Sequence, residues 1–153
     1  MYQYNTSKKT WVKKATLKGN ILSYKVKGLT PATAYRFAVK AYAQGADGEQ
    51  VSSKSYTSLY TATAPNAVNF TVKAGRKKAV LSWKKVKGAT GYTVYYKTKA
   101  NGDWKKLKNT KGTSYTKTKL KSGTTYYFTV KAYKTYKKET YTSAFKSRKV
   151  RVK

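Results

Sequence analysis

The chain has 153 residues, with 35 Lys or Arg against 4 Asp or Glu, a formal charge of +31, and neither His nor Cys. Those counts exclude disulfides and thiolate metal sites, and they remove the usual general base together with the Ser-His and Cys-His nucleophile pairs. The charge is uneven, residues 1–63 carrying 10 basic and 2 acidic residues and residues 64–153 carrying 25 and 2. Such a surplus repels itself in the compact state and attracts any polyanion nearby.

In chain order the pattern predicts strands and no helix. Residues 2–6, 11–17, 21–26, 34–43 and 53–63 come first, rich in Tyr, Thr and Val. A short Ala62-Thr63-Ala64-Pro65-Asn66 connection follows. Seven further strands are predicted at 68–74, 79–86, 91–98, 104–108, 113–119, 125–134 and 141–152. Apolar residues alternate with polar ones in these runs, and side chains two apart in a strand share a face. Ala79, Leu81 and Trp83 form one inward set; Tyr92, Val94 and Tyr96 form the next; Tyr126, Phe128, Val130 and Ala132 form the third. Gly75, Gly88, Gly91, Gly102, Gly112 and Gly123 fall between the runs, at the spacing of an all-β sandwich. The polar YQYNTSKK after Met1 lacks the apolar run of a signal peptide, so an export signal is expected upstream of this segment. No stretch approaches the roughly 18 apolar residues of a membrane span.

One unit is written twice. Leu29 to Tyr42 reads LTPATAYRFAVKAY, and 91 residues later Leu120 to Tyr133 reads LKSGTTYYFTVKAY. Leu120, Thr124 and Tyr126, with Leu29, Pro31, Thr33 and Tyr35 in the first copy, make a Leu-x-x-x-Thr-x-Tyr lead into a strand. With Trp83 on the second strand of the later copy and Tyr92 opening its third, this pattern resembles the fibronectin type III domain. The lysine-rich flavour is similar to that of tandem copies in surface and secreted proteins of Gram-positive bacteria. The resemblance implies an immunoglobulin-like β-sandwich of seven strands in residues 64–153. It further implies a tyrosine corner in which the Tyr126 hydroxyl bonds back to nearby backbone. Residues 1–63 then form an incomplete first copy that lacks the first two strands, including the counterpart of Trp83. Self-association through that incomplete unit is one expectation.

The four carboxylates offer no catalytic pair: in the fibronectin arrangement Asp103 and Glu139 sit in loops at opposite ends of the sandwich. Asp47 and Glu49 are too few to supply the six to eight oxygens of a calcium site. Neither catalytic residue, metal nor cofactor is expected. The basic residues remain. Lys84, Lys85 and Lys87 follow Trp83, and Lys134, Lys137 and Lys138 surround the last hairpin, both at one end of the sandwich. Lys97, Lys131, Lys149 and Arg151 alternate with core residues on one sheet face, interleaved with Tyr95, Tyr127 and Tyr133. Ammonium groups beside rings suit an anionic chain, and sugars can stack on the tyrosines. The same residues can also do no more than shield a sheet and block edge-to-edge aggregation.

The expected role is a non-catalytic spacer or adhesion module, extracellular or at the cell surface, contacting anionic cell-wall polymers or other polyanions. A glycan-binding accessory domain of a secreted carbohydrate-active enzyme is the alternative, and weak, sequence-blind nucleic-acid binding a second. Arg, which reads guanine and phosphate in two-pronged fashion, is scarce: only Arg36, Arg76, Arg148 and Arg151 are present.

Overall fold

The computed structural model describes residues Met1–Lys153. It contains fourteen β-strands and no helix. The chain divides into two units, one made of Met1–Leu29 with Ala34–Ala62, the other of Thr30–Thr33 with Thr63–Lys153.

The second unit holds β7 (Phe70–Gly75), β8 (Lys78–Trp83), β9 (Gly91–Lys97), β10 (Lys105–Thr110), β11 (Ser114–Lys117), β12 (Thr125–Tyr136), β13 (Glu139–Thr142) and β14 (Ser147–Arg151). One sheet runs β11-β8-β7. The other runs β10-β9-β12-β13, with β14 also on β12. All pairs are antiparallel. Both sheets contribute their alternate apolar residues to one core. Phe70, Ala79, Leu81 and Trp83 come from the first sheet, and Tyr92, Val94, Phe128, Val130 and Ala132 from the second. Trp83 meets Tyr92 edge to face at 5.4 Å. That is the two-layer solution in which each sheet buries one face. The tyrosine corner is present: the Lys121 amide donates to the Tyr126 hydroxyl at 3.1 Å.

The last expected strand, 141–152, is divided. Residues 143–146 bulge out between β13 and β14, both of which pair with β12. The bulge is pinned by Ser143, whose amide donates to the Ala132 carbonyl at 2.9 Å and whose hydroxyl accepts the Ala132 amide at 3.1 Å. Thr129 anchors its far end by donating to the Lys146 carbonyl at 2.8 Å.

The first unit holds β1 (Tyr2–Asn5), β2 (Thr10–Lys13), β3 (Ala34–Ala38), β4 (Tyr42–Gln44), β5 (Gln50–Ser52) and β6 (Ser58–Ala62). Its main sheet runs β2-β1-β3-β6, the order in which β10, β9, β12 and β14 lie in the second unit. The strand expected at 21–26 does not form. Its counterpart by the 91-residue repeat is β11, which takes its ladder from β8. The first unit has no strand equivalent to β8, so 21–26 has no neighbouring strand to pair with, and Leu22 is 96% exposed. The expected strands 34–43 and 53–63 are likewise shortened by a break after Ala38 and a start at Ser58.

Candidate cation and aromatic face

Alternation along β9, β12 and β14 decides what the second unit shows to solvent. Phe128 and Val130 have no exposure, so Tyr127, Lys131 and Tyr133 must point the other way. Register completes the face. Lys97 lies opposite Tyr127, which lies opposite Lys149; Tyr95 lies opposite Thr129, and Thr125 opposite Arg151. Lys97, Lys131, Lys149 and Arg151 therefore share one surface with Tyr95, Tyr127 and Tyr133. No carboxylate lies on these three strands.

Two of the ammonium groups on this face, those of Lys97 and Lys131, sit over rings. The Lys97 Nζ is 4.7 Å from the Trp104 ring centre and 5.8 Å from that of Tyr127. The Lys131 Nζ is 4.8 Å from Phe145 and 5.6 Å from Tyr95. Trp104 and Phe145 meet edge to face at 6.0 Å and 78°. A cation on the negative face of a ring is stabilised by about 0.5–1 kcal/mol where exposed. Lys97 also donates to the Ala100 carbonyl at 2.5 Å, and the Arg151 Nε donates to the Gly123 carbonyl at 3.0 Å. Lys149 is exposed.

Tyr133 stands apart. The tip of its ring lies over Gly91, where a built Cβ would come within 2.5 Å of the hydroxyl and 2.8 Å of Cζ. A side chain at residue 91 would displace the Tyr133 tip and crowd the Thr110 carbonyl at 3.0 Å, so Gly91 leaves room for Tyr133 to cover backbone.

The end of the sandwich holds the remaining lysines. The Thr90 amide donates to the Tyr133 carbonyl at 2.8 Å, and the Thr90 hydroxyl accepts the Thr135 amide at 3.1 Å. These bonds bring the loop after β8 beside the β12–β13 hairpin. Lys87, Lys137 and Lys138 are exposed there and Lys134 is half-buried. Lys84 and Lys85 instead line an open cleft with Asn69, Phe70, Trp83 and Arg148.

Sequence reasoning missed Phe145. Phe145 falls inside what reads as one alternating strand, in phase with the outward Lys149 and Arg151, and the bulge lifts it off the ladder.

The family model for the fibronectin type III domain matches residues 63–147. The chain belongs to the fibronectin type III family. Solved structures are also similar to this chain. A fibronectin-like protein from Clostridium thermocellum is 27% identical, with 54% of this chain and 86% of that chain covered and a TM-score of 0.42. The mutant domain FN3tt is 23% identical over 57% of this chain and 94% of its own, with a TM-score of 0.48. Domains d3-d4 of the rat CD45 extracellular region are 20% identical over 91% of this chain and 75% of that one, with a TM-score of 0.49. No curated protein matches. Fibronectin type III domains are commonly non-catalytic extracellular modules, and no helix here is long and apolar enough to cross a membrane.

Proposed function

We propose that this chain is a spacer or adhesion module, secreted or held at the surface of a Gram-positive cell, whose second unit contacts anionic wall polymers. The observation that carries the reading is the β9-β12-β14 face: four cations, alternating rings and no carboxylate on the strands that form it. A charge of +31 exceeds what solubility asks of a small domain. Lysine, as a compact, strongly hydrated point charge, suits diffuse attraction to a polymer better than recognition of one group. For the same reason nucleic-acid binding is expected to be weak and blind to sequence.

The test is co-sedimentation with purified Gram-positive walls across a salt series. Binding should fall steeply as ionic strength rises, since exposed charges more than about 8 Å apart are screened at physiological salt. Binding that survives high salt, or that is unchanged once teichoic acids are stripped, would contradict the reading.

We read the first unit as the same sandwich without its first two strands. Val39 is 68% exposed whereas its repeat counterpart Val130 is fully buried, and Leu59 is 63% exposed. Such a face favours association, so sedimentation should show a concentration-dependent oligomer. A monomer at every concentration would oppose this.

A further inference from the structure

The ring and cation cluster of the second unit has a counterpart in the first. Trp11, on β2, meets Tyr56 edge to face at 5.3 Å and 86°, as Trp104 beside β10 meets Phe145. Tyr56 lies between β5 and β6, where Phe145 lies between β13 and β14. The stretch is pinned the same way, the Ser53 amide donating to the Ala41 carbonyl at 2.9 Å as Ser143 does to Ala132. The Lys40 Nζ stands 5.2 Å from the Tyr56 ring centre, and Lys131, its repeat counterpart, 4.8 Å from that of Phe145. A second cation lies over each indole, Arg36 at 4.9 Å from Trp11 and Lys97 at 4.7 Å from Trp104. The supporting pair has even exchanged strands. In the second unit the cation is on β9 and the ring on β12 (Lys97, Tyr127). In the first the ring is on β1 and the cation on β3 (Tyr4, Arg36, 5.3 Å apart). The constellation is kept where the individual residues are not.

Two features go beyond packing. Phe145 and Tyr56 remain 47% and 38% exposed, although each rests on an indole. Lys40 and Lys131 are half-buried residues whose ammonium groups take no hydrogen-bond acceptor from the chain, so their N–H groups are open to an outside anion. The rings meet nearly at right angles and form a corner rather than a slot. A planar base can stack on only one wall of a corner. A chair-form sugar presents C–H bonds on both face and edge, and can meet both walls.

We propose that each unit carries one subsite for an acidic sugar residue, Lys131 with Phe145 and Trp104 in the second and Lys40 with Tyr56 and Trp11 in the first. The lysine takes the carboxylate and the corner takes the pyranose ring. The proposal rests on the reading of the basic surface as a contact for anionic polymers. It adds to that diffuse contact a preference for an acidic polysaccharide.

The three indole N–H signals of the intact chain provide the readout, with core Trp83 as internal control. Titration with hexagalacturonate or a hyaluronate hexamer should move Trp11 and Trp104 and leave Trp83 in place. Maltohexaose, linear hexaphosphate and a six-residue thymidine strand should leave all three in place. Lys131→Gln should weaken the Trp104 response about tenfold and spare Trp11, Lys40→Gln should do the reverse, and Lys131→Arg should retain the response. An unmoved Trp83 signal in each variant shows that the core has survived. The subsites are refuted if neither acidic hexamer moves Trp11 or Trp104, if hexaphosphate or the thymidine strand moves them equally, or if both Gln variants respond as wild type. Those outcomes leave the broader reading standing when walls still bind in a salt-sensitive way. Failure to bind walls or any polyanion at low salt removes both.

Discussion

In the turn that leads into the long strand, the two copies place their glycines differently. Gly28 and Lys119 are repeat counterparts, with φ of 71° and 57°; Ala32 and Gly123 are counterparts, with φ of 52° and 73°. The backbone visits the left-handed region at both positions in both copies, yet each copy has glycine at only one of them. A Cβ there costs roughly 1–2 kcal/mol, partly offset because glycine frees the unfolded chain. Lys119→Gly and Ala32→Gly should each raise stability by about 0.5–1 kcal/mol in urea unfolding, and Gly123→Ala should lower it. Unchanged or lower midpoints for both glycine variants would show that the turn is not strained. The repeat was plain from Leu29, Tyr35, Leu120 and Tyr126, and so was the Tyr126 hydroxyl bond. Which residue carries the strain was not, because Lys and Ala are ordinary residues until their φ is known.

Among the elements, the β12–β13 hairpin turns on Lys137 and Lys138, whose φ values are 46° and 68°. Two residues with positive φ make the kind of hairpin turn that prefers Asn-Gly, because its twist matches the strands. Replacing the pair by Asn-Gly should stabilise the second unit by about 1–2 kcal/mol. A lower melting temperature would mean that the lysines contribute contacts beyond the turn. The strand at 21–26 marks the limit of local pattern. Ser23 and Tyr24 repeat Ser114 and Tyr115, and the local residues call for a strand, but a strand needs a neighbour and the first unit supplies none. Amides 23–26 should exchange with deuterium near the unprotected rate, whereas residues of β11 should be protected by many orders of magnitude. Equal protection would show that some other strand closes the first unit. The bulge at 143–146 was illegible for a related reason. Period-two alternation sets phase along a continuous strand and does not register an extra residue, so Phe145 was assigned to a ladder it leaves.

For the molecule as a whole, the excess of cations was legible at once, and so was the face they share in the second unit. What composition could not supply was that two of the four, Lys97 and Lys131, are seated over Trp104, Tyr127, Phe145 and Tyr95. That seating separates a placed surface from mere net charge, and a charge-matched comparison tests it most directly. Lys97, Lys131, Lys149 and Arg151 are changed together to Gln in one variant; in a second, Lys73, Arg76, Lys78 and Lys121, away from that face, are changed instead. Each variant removes four of the 35 basic residues and so lowers the net charge equally. Affinity for purified walls at fixed ionic strength should fall at least about tenfold in the first variant and stay within about twofold in the second. Equal losses in the two would show that only total charge matters and would contradict a dedicated face.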